Sequence, residues 1–109
     1  MWPLIEDAAS WIERLPRMTL TANVATKNGS RYLQQLCKHW SHKFETDFDA
    51  QQGVIAFPMG PIRMTAADDA LAVTIEPQDG VDVENFKQVV ADHLNRFAFR
   101  EAPLVFDWR

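Results

Sequence analysis

The chain has 109 residues, and its 11 basic and 15 acidic side chains give a formal net charge of −4. That length fits a single domain, since domains typically contain roughly 100–150 residues. Hydrophobic residues make up 47% of the chain and charged residues 24%, which excludes a disordered chain. The apolar runs fall well short of the ~20 residues that a membrane span needs, and a single cysteine cannot form an internal disulfide. We therefore also exclude a membrane protein, a secreted disulfide scaffold and a strongly basic nucleic-acid binder, and we expect a cytoplasmic protein.

The first 17 residues have the pattern of a short helix. Their apolar side chains recur at helical spacing up to Pro16, which ends the helix. Met18 follows directly, so we predict an N-terminal helical extension over residues 1–17 and a single domain over residues 18–109. Three interpretations of the extension remain open: an appended helix, an arm that contacts a partner, and translation from an upstream start.

A strand and a helix follow. Residues 18–25 alternate between apolar and polar side chains, and their threonines and valine favour a pleated surface, so we predict a strand. Asn28 and the next two residues offer turn and N-cap chemistry. A helix is then predicted from about Ser30 to His42. Its apolar face, at 100° per residue, consists of Tyr32, Leu33, Leu36, Trp40 and Phe44.

From Phe44 onward the hydrophobic period drops to two, which is typical of strands. We predict four of them, over residues 44–48, 54–57, 62–66 and 71–76. Strands this close in sequence, joined by short turns, pair as an antiparallel meander. The second of the four is apolar on both sides, so it must point either Ile55 and Phe57 or Val54 and Ala56 away from the core.

The last helix has the clearest pattern in the chain. Asp82 is its predicted N-cap, and the acidic residue two positions later favours the positive end of the helix. Its narrow apolar stripe consists of Val83, Phe86, Val89, Val90, Leu94 and Phe97. After it, residues 102–109 are predicted to be extended, and to pack on the body of the domain or add to a sheet edge.

This order of elements predicts the fold class. Two helices with single apolar stripes need one sheet face to cover. We therefore predict an α+β two-layer sandwich, in which an antiparallel sheet of about five strands is covered on one face by two helices, with the N-terminal helix in addition. The other sheet face is polar enough to remain solvated.

Three histidines are the candidate metal ligands. His39 and His42 lie three residues apart, about 60° around the same helix, so they can share a metal ion. His93 is the third candidate, from the last helix. Cys37 points about 160° away from His39 and cannot complete that site from the same helix. We favour the interpretation that these are partly exposed surface histidines.

His93 lies within the apolar stripe of the last helix, beside Val89 and Leu94. It is either a ligand or proton-transfer group that faces a cleft, or a buried histidine with one hydrogen-bond partner, and we favour the second. Cys37 has the place of a small core residue. The basic side chains at the ends of the two helices complement the helix dipoles. If those ends meet in space, they form a basic corner that can hold an anionic partner.

Two long motifs resemble a known family. Residues 31–43 (RYLQQLCKHWSHK) and 93–101 (HLNRFAFRE), followed by Asp107-Trp108, are similar to the bacterial domain of unknown function 2218 family over about residues 19–109. Members are small proteins, or domains attached to siderophore-interacting flavoproteins. The resemblance therefore implies a role near iron uptake or ferric-siderophore reduction, with a separate flavoprotein reductase as partner. Its signature residues are Cys37, His39, Trp40, His42, His93, Arg96 and Arg100.

These observations lead to one main hypothesis and two alternatives. The main hypothesis is a cytoplasmic accessory domain without catalytic residues, connected with iron–siderophore metabolism. It binds a small ligand or a flavoprotein through the corner made by His39, His42, His93, Arg96 and Arg100. The first alternative is a metal-binding protein that uses His39, His42 and His93. The second is a structural module that forms a homodimer through the N-terminal helix or the open sheet face.

Overall fold

The computed structural model describes residues 18–109, so the predicted helix over residues 1–17 lies outside the described part of the chain. The elements, in chain order, are β1 (Leu20–Ala25), α1 (Gly29–Trp40), β2 (Thr46–Phe48), β3 (Gln52–Ile55), β4 (Ile62–Ala66), β5 (Ala70–Ile75) and α2 (Val83–Phe97). The predicted α+β class, with a five-stranded antiparallel sheet and two helices, is confirmed. Within residues 18–109, neither helix is long and apolar enough to cross a lipid bilayer.

The five strands form one sheet in the order β1-β5-β4-β3-β2, and every neighbouring pair is antiparallel. Strands β2 to β5 are therefore the predicted meander. β1 pairs with β5 at the far side, with Ala22 opposite Val73, and α1 returns the chain across the sheet to β2. Because α1 crosses over the strands between the two edges, the helix packs against the middle of the sheet.

The core lies between the sheet and the helices. The fully buried strand side chains alternate along β1, β4 and β5, as period-two patterning requires. They are joined in one cluster by Leu33, Leu36 and Trp40 of α1 and by Phe86, Val90 and Leu94 of α2. Because the helical and strand members share one cluster, both helices lie over the same sheet face. The opposite face carries polar and small side chains.

Strand β3 resolves the choice that its sequence left open. Ile55 is fully buried, whereas Val54 is half-buried and Ala56 is exposed, so Val54 and Ala56 point outward. The strand also starts at Gln52 rather than at the predicted residue 54. Gly53 explains this extension, because a Cβ atom there would lie 2.8 Å from the Cys37 Sγ atom. A strand residue without a side chain lets α1 pack closely over β3.

The two helices end near their predicted limits. α1 ends at Trp40, and the next residues continue in turns, with the Phe44 amide donating to the Trp40 carbonyl over 2.8 Å. Asp82 caps α2 as predicted, since its Oδ1 atom accepts a hydrogen bond from the Asn85 amide over 3.1 Å. On the α2 stripe, however, Phe97 is only half-buried.

The C-terminal tail adds to the edge of the sheet, as its pattern suggested. The Thr21 amide donates to the Arg109 carbonyl over 3.1 Å, and the Arg109 amide donates back to the Thr21 carbonyl over 3.0 Å. Leu104 is buried, and its amide donates to the Asn95 Oδ1 atom over 2.8 Å. The last residue of the tail thus pairs with Thr21 at the outer edge of β1, and β2 forms the other edge of the sheet.

Candidate functional site

The end of α1 and the second half of α2 bring two of the candidate histidines together. The ring centroids of His39 and His93 are 5.7 Å apart, with an angle of 44° between the rings. His39 also lies edge-on to Phe97, with their centroids 5.9 Å apart. We call the surface formed by His39, His93 and Arg96, with His42 and Lys43 beside them, the basic corner.

The main chain and the aromatic core hold His93 in place. Its Nδ1 atom lies 2.8 Å from the Val89 carbonyl, one helical turn earlier. Because a carbonyl only accepts, Nδ1 carries the hydrogen there, and in the neutral ring Nε2 is the free acceptor. Trp40, buried between His93 at 4.7 Å and Phe57 at 4.6 Å, packs against the ring. The buried part of the site therefore fixes the direction of the half-exposed imidazole.

The charged residues close to His39 are bases, and they repel its protonated form. Partial burial lowers the pKa of His39, and the nearby bases His93, Arg96, Lys43 and His42 lower it further. Each of these neighbours is a base, so the protonated form of His39 is disfavoured in the free protein. An anion at the basic corner would reverse that effect, since it would stabilise the protonated ring.

Of the remaining signature residues, Cys37 and Arg100 lie away from the basic corner, whereas His42 lies at its margin. Cys37 is fully buried over β3, and burial raises the pKa of its thiol to about 11, so the thiol remains protonated at neutral pH. His42 is exposed. In the part of the chain that the structure describes, no three or more His, Cys, Asp or Glu side chains are grouped to hold a metal ion. Arg100 lies beyond the end of α2, in a groove at the opposite end of α1.

That groove runs between the first turns of α1 and the turn after α2, with a volume of about 320 Å³. Its walls are Arg31 and Gln35 on one side and Phe97, Phe99 and Arg100 on the other. We call it the arginine groove. The Phe99 ring is 71% exposed, and the Arg100 guanidinium carbon lies 5.7 Å from its centroid.

A polar cluster at the floor of this groove was not predicted. The Oε2 atom of Glu101 accepts hydrogen bonds from the Tyr32 hydroxyl, from the Asn28 side chain at 2.9 Å and from the Thr26 hydroxyl at 2.9 Å. The bond from Tyr32, followed by that from Asn28, lowers the pKa of Glu101. Burial, followed by the bond to Glu101, raises the pKa of Tyr32. The cluster therefore holds an ionised carboxylate against a neutral phenol.

A weak signal for this cluster was present in the sequence. Tyr32 is a hydroxyl-bearing residue within an apolar stripe, and a buried tyrosine hydroxyl usually has a partner. The partner of the Tyr32 hydroxyl is Glu101, 69 residues further along the chain. Glu101 ends one of the two family motifs, although nothing in its local sequence assigns it a role.

The fold and the site together define a small α+β domain that presents basic and aromatic side chains at both ends of α1, beside the C-terminal part of α2. The chain belongs to a family described as an uncharacterized protein conserved in bacteria (DUF2218), whose model matches residues 21–109. The chain also resembles a solved structure, the NMR structure of PA4090 from Pseudomonas aeruginosa. That match has a TM-score of 0.68 and 33% identity, covering 84% of this chain and 94% of that chain. No curated protein matches the chain.

Proposed function

We propose that this protein is a non-enzymatic, cytoplasmic binding domain that takes an anionic ligand at the basic corner and acts beside a flavoprotein reductase in iron–siderophore metabolism. The observation that carries the proposal is the 5.7 Å separation of the His39 and His93 rings. They come from different helices, so the fold itself assembles the pair. A single anion placed between the rings is within reach of both.

The charge of the basic corner supports an anionic ligand. Among the described residues, the ion pairs are Arg63–Glu76, Glu84–Lys87 and Asp107–Arg109. None of them uses a base of the corner, so its positive charge is not neutralised by another described residue. The chain as a whole carries a net charge of −4, so the local positive charge of the corner is opposite in sign to the charge of the whole protein. Such a group attracts anions through its field as well as by direct contact.

The iron–siderophore part of the proposal rests on the family resemblance. Related domains are attached to siderophore-interacting flavoproteins, which bind ferric complexes with several oxygen ligands. A ferric complex that carries net negative charge suits the bases of the corner, whereas a neutral complex gains nothing from them. Charge is therefore the property that the experiment should vary.

Calorimetric titration with a ferric tris-catecholate complex, which is anionic, tests the proposal directly. We expect saturable binding, and much weaker binding of a neutral ferric trishydroxamate complex. Arg96→Gln and His39→Asn should each weaken binding of the anionic complex, whereas Arg63→Gln, on the open sheet face, serves as the matched control. A flavoprotein siderophore reductase should change its rate when the protein is added. The absence of both heat and a rate change would refute the proposal.

Proton linkage gives a second test at the same corner. Because the pKa of His39 is lowered in the free protein, a bound anion should raise it. Binding then takes up a proton, so affinity should increase as the pH falls from the raised pKa of the complex towards the lowered pKa of the free protein. The gallium(III) tris-catecholate complex is diamagnetic and allows the His39 ring to be titrated by NMR. An unchanged pKa in its presence would place the ligand away from His39.

A further inference from the structure

We propose that the arginine groove is a second binding site, specific for a small anion that carries a planar apolar group, such as an aryl carboxylate. The groove is lined by Arg31, Gln35, Phe97, Phe99 and Arg100, and it does not include the histidines of the basic corner. This inference is independent of the proposed iron–siderophore role.

The two arginines supply the charge. Arg31 and Arg100 are exposed, and neither forms an ion pair with another residue in the described range 18–109. Both line the groove, Arg31 from the first turn of α1 and Arg100 from the turn after α2, so both act on an anion that enters it. Guanidinium groups present several donors in one plane and are well suited to carboxylates.

The exposed ring of Phe99 supplies the apolar surface. A phenylalanine that is 71% exposed covers no core and remains free to stack on a ligand. The turn that carries it is ordered, because the Glu101 and Ala102 amides both donate to the Ala98 carbonyl over 2.8 Å. With Arg100 5.7 Å from the Phe99 ring, one ligand can contact charge and ring together. This arrangement favours an anion with a ring over a simple anion.

Glu101 is hydrogen-bonded to two residues that line the groove, Asn28 and Tyr32, and it does not oppose an anion strongly. Its Oε2 atom accepts hydrogen bonds from Tyr32, Asn28 and Thr26, which disperse its charge. These bonds also occupy the Tyr32 hydroxyl, so the floor is fixed before a ligand arrives. The volume of about 320 Å³ is at the lower end of the range for ligand sites, roughly 300–1,000 Å³, and suits a single substituted ring.

The two candidate sites meet at Phe97. Its ring lies edge-on to His39 at 5.9 Å, and it also lines the arginine groove. The charged groups of the two sites are nevertheless different, so substitutions can separate them. A ligand that depends on Arg31 and Arg100 but not on His39 belongs to the groove alone.

Three probes test the inference on the full chain by two-dimensional amide NMR: benzoate, acetate and benzyl alcohol. Benzoate should shift the amide signals of Gln35, Phe99 and Arg100 saturably, with a dissociation constant on the order of 1–10 mM for a ligand of this size. Acetate lacks the ring and benzyl alcohol lacks the charge, so each should bind about tenfold more weakly. Equal binding of all three probes would overturn the proposal, as would the absence of saturation by benzoate.

Variants then locate the probe. Arg31→Gln, Arg100→Gln and Phe99→Ala alter exposed side chains, so the fold should persist, and each should weaken benzoate binding about fivefold. Arg63→Gln and His39→Asn should leave it unchanged. If His39→Asn weakens benzoate binding as strongly as Arg31→Gln, the benzoate lies at the basic corner and the groove is not a separate site. Failure of the iron-complex titration would leave this result unaffected.

Discussion

Removing the Tyr32 hydroxyl tests the polar contact that ties the start of α1 to the turn after α2. Tyr32 is 4% exposed, and its hydroxyl donates to the Oε2 atom of Glu101. The substitution Tyr32→Phe keeps the ring in the core and removes only the donor. Glu101→Gln is the complementary change, because it keeps the shape of the side chain and removes the charge.

The environment of each partner sets the expected size of the effect. A hydrogen bond to a charged group contributes about 1.5–3 kcal/mol net. Glu101 is half-buried and keeps its bonds from Asn28 and Thr26, so water and these two donors compensate in part. We therefore expect Tyr32→Phe to lower the free energy of unfolding by about 1–2 kcal/mol. In a domain of this size, each 1 kcal/mol corresponds to a shift of roughly 4–8 °C in Tm.

Urea unfolding followed by tryptophan fluorescence measures this effect, with the two single variants and the double variant forming a cycle. The double variant should lose less stability than the sum of the single losses, with a coupling of about 1 kcal/mol. Glu45→Gln is the matched control, since Glu45 is exposed, lies outside the helices and forms no ion pair with another described residue. Strictly additive losses, or a loss for Glu101→Gln no larger than for Glu45→Gln, would refute the assigned hydrogen bond.

Acid unfolding should show the same contact. The folded protein lowers the pKa of Glu101, chiefly through Tyr32, so the ionised carboxylate is stabilised by folding. That stability is present above the ordinary carboxyl pKa of 4.5 and is lost as the pH falls through the lower pKa of the folded state. In Tyr32→Phe, this acid-dependent loss should be smaller. Identical pH profiles for the wild-type protein and Tyr32→Phe would contradict the argument.

Three further substitutions and one chemical treatment address other parts of the fold. Gly60→Ala should lower the free energy of unfolding by about 2 kcal/mol or more, because φ is +143° and a Cβ atom would lie 2.2 Å from the Glu76 carbonyl oxygen. The loss is measured as a fall in Tm, and an unchanged Tm would contradict this expectation. Phe86→Ala empties a fully buried position and should lower the free energy of unfolding by about 3–5 kcal/mol. Phe97→Ala, at a half-buried position, should lower it clearly less. Equal urea midpoints of the two variants would show that both rings are equally buried. The thiol of Cys37 is buried and has a pKa of about 11, so it should react with an aromatic disulfide reagent at pH 8 only after unfolding in urea. Rapid reaction of the native protein would show that α1 moves away from the sheet.

The sequence patterns were sufficient for the architecture because burial has a direct periodic signature. The alternation that placed Ala22 and Val24 on the inner face of β1 corresponds to side chains with no exposed surface. Element limits were less certain, as the start of β3 at Gln52 shows. There the hydrophobic pattern began two residues too late, because Gly53 contributes to the strand by its missing side chain and not by apolarity.

The candidate site was predictable only in part. The basic ends of the helices were visible in the sequence, and the condition that they meet is fulfilled for His39 and His93. Arg100 lies in the arginine groove. It is one turn further along the chain than Arg96 and therefore lies past the end of the interface that the two helices share. The contact between Tyr32 and Glu101 was not predictable, because it depends on how the turn after α2 meets α1, and local propensities do not determine that tertiary arrangement.

Phe97 lies on the same stripe of α2 as Phe86 but differs from it in burial. The stripe of α2 treats Phe86 and Phe97 as equivalent, since the period specifies the side of a helix and not how far its neighbours extend. The sheet and α1 cover Phe86 completely, but near the end of α2 they leave Phe97 half-exposed beside His39 and the arginine groove. An apolar ring that the core does not cover, placed between two groups of uncompensated bases, can contribute more to binding than to folding. The same position in the stripe therefore has a structural role at one end of α2 and favours a binding role at the other.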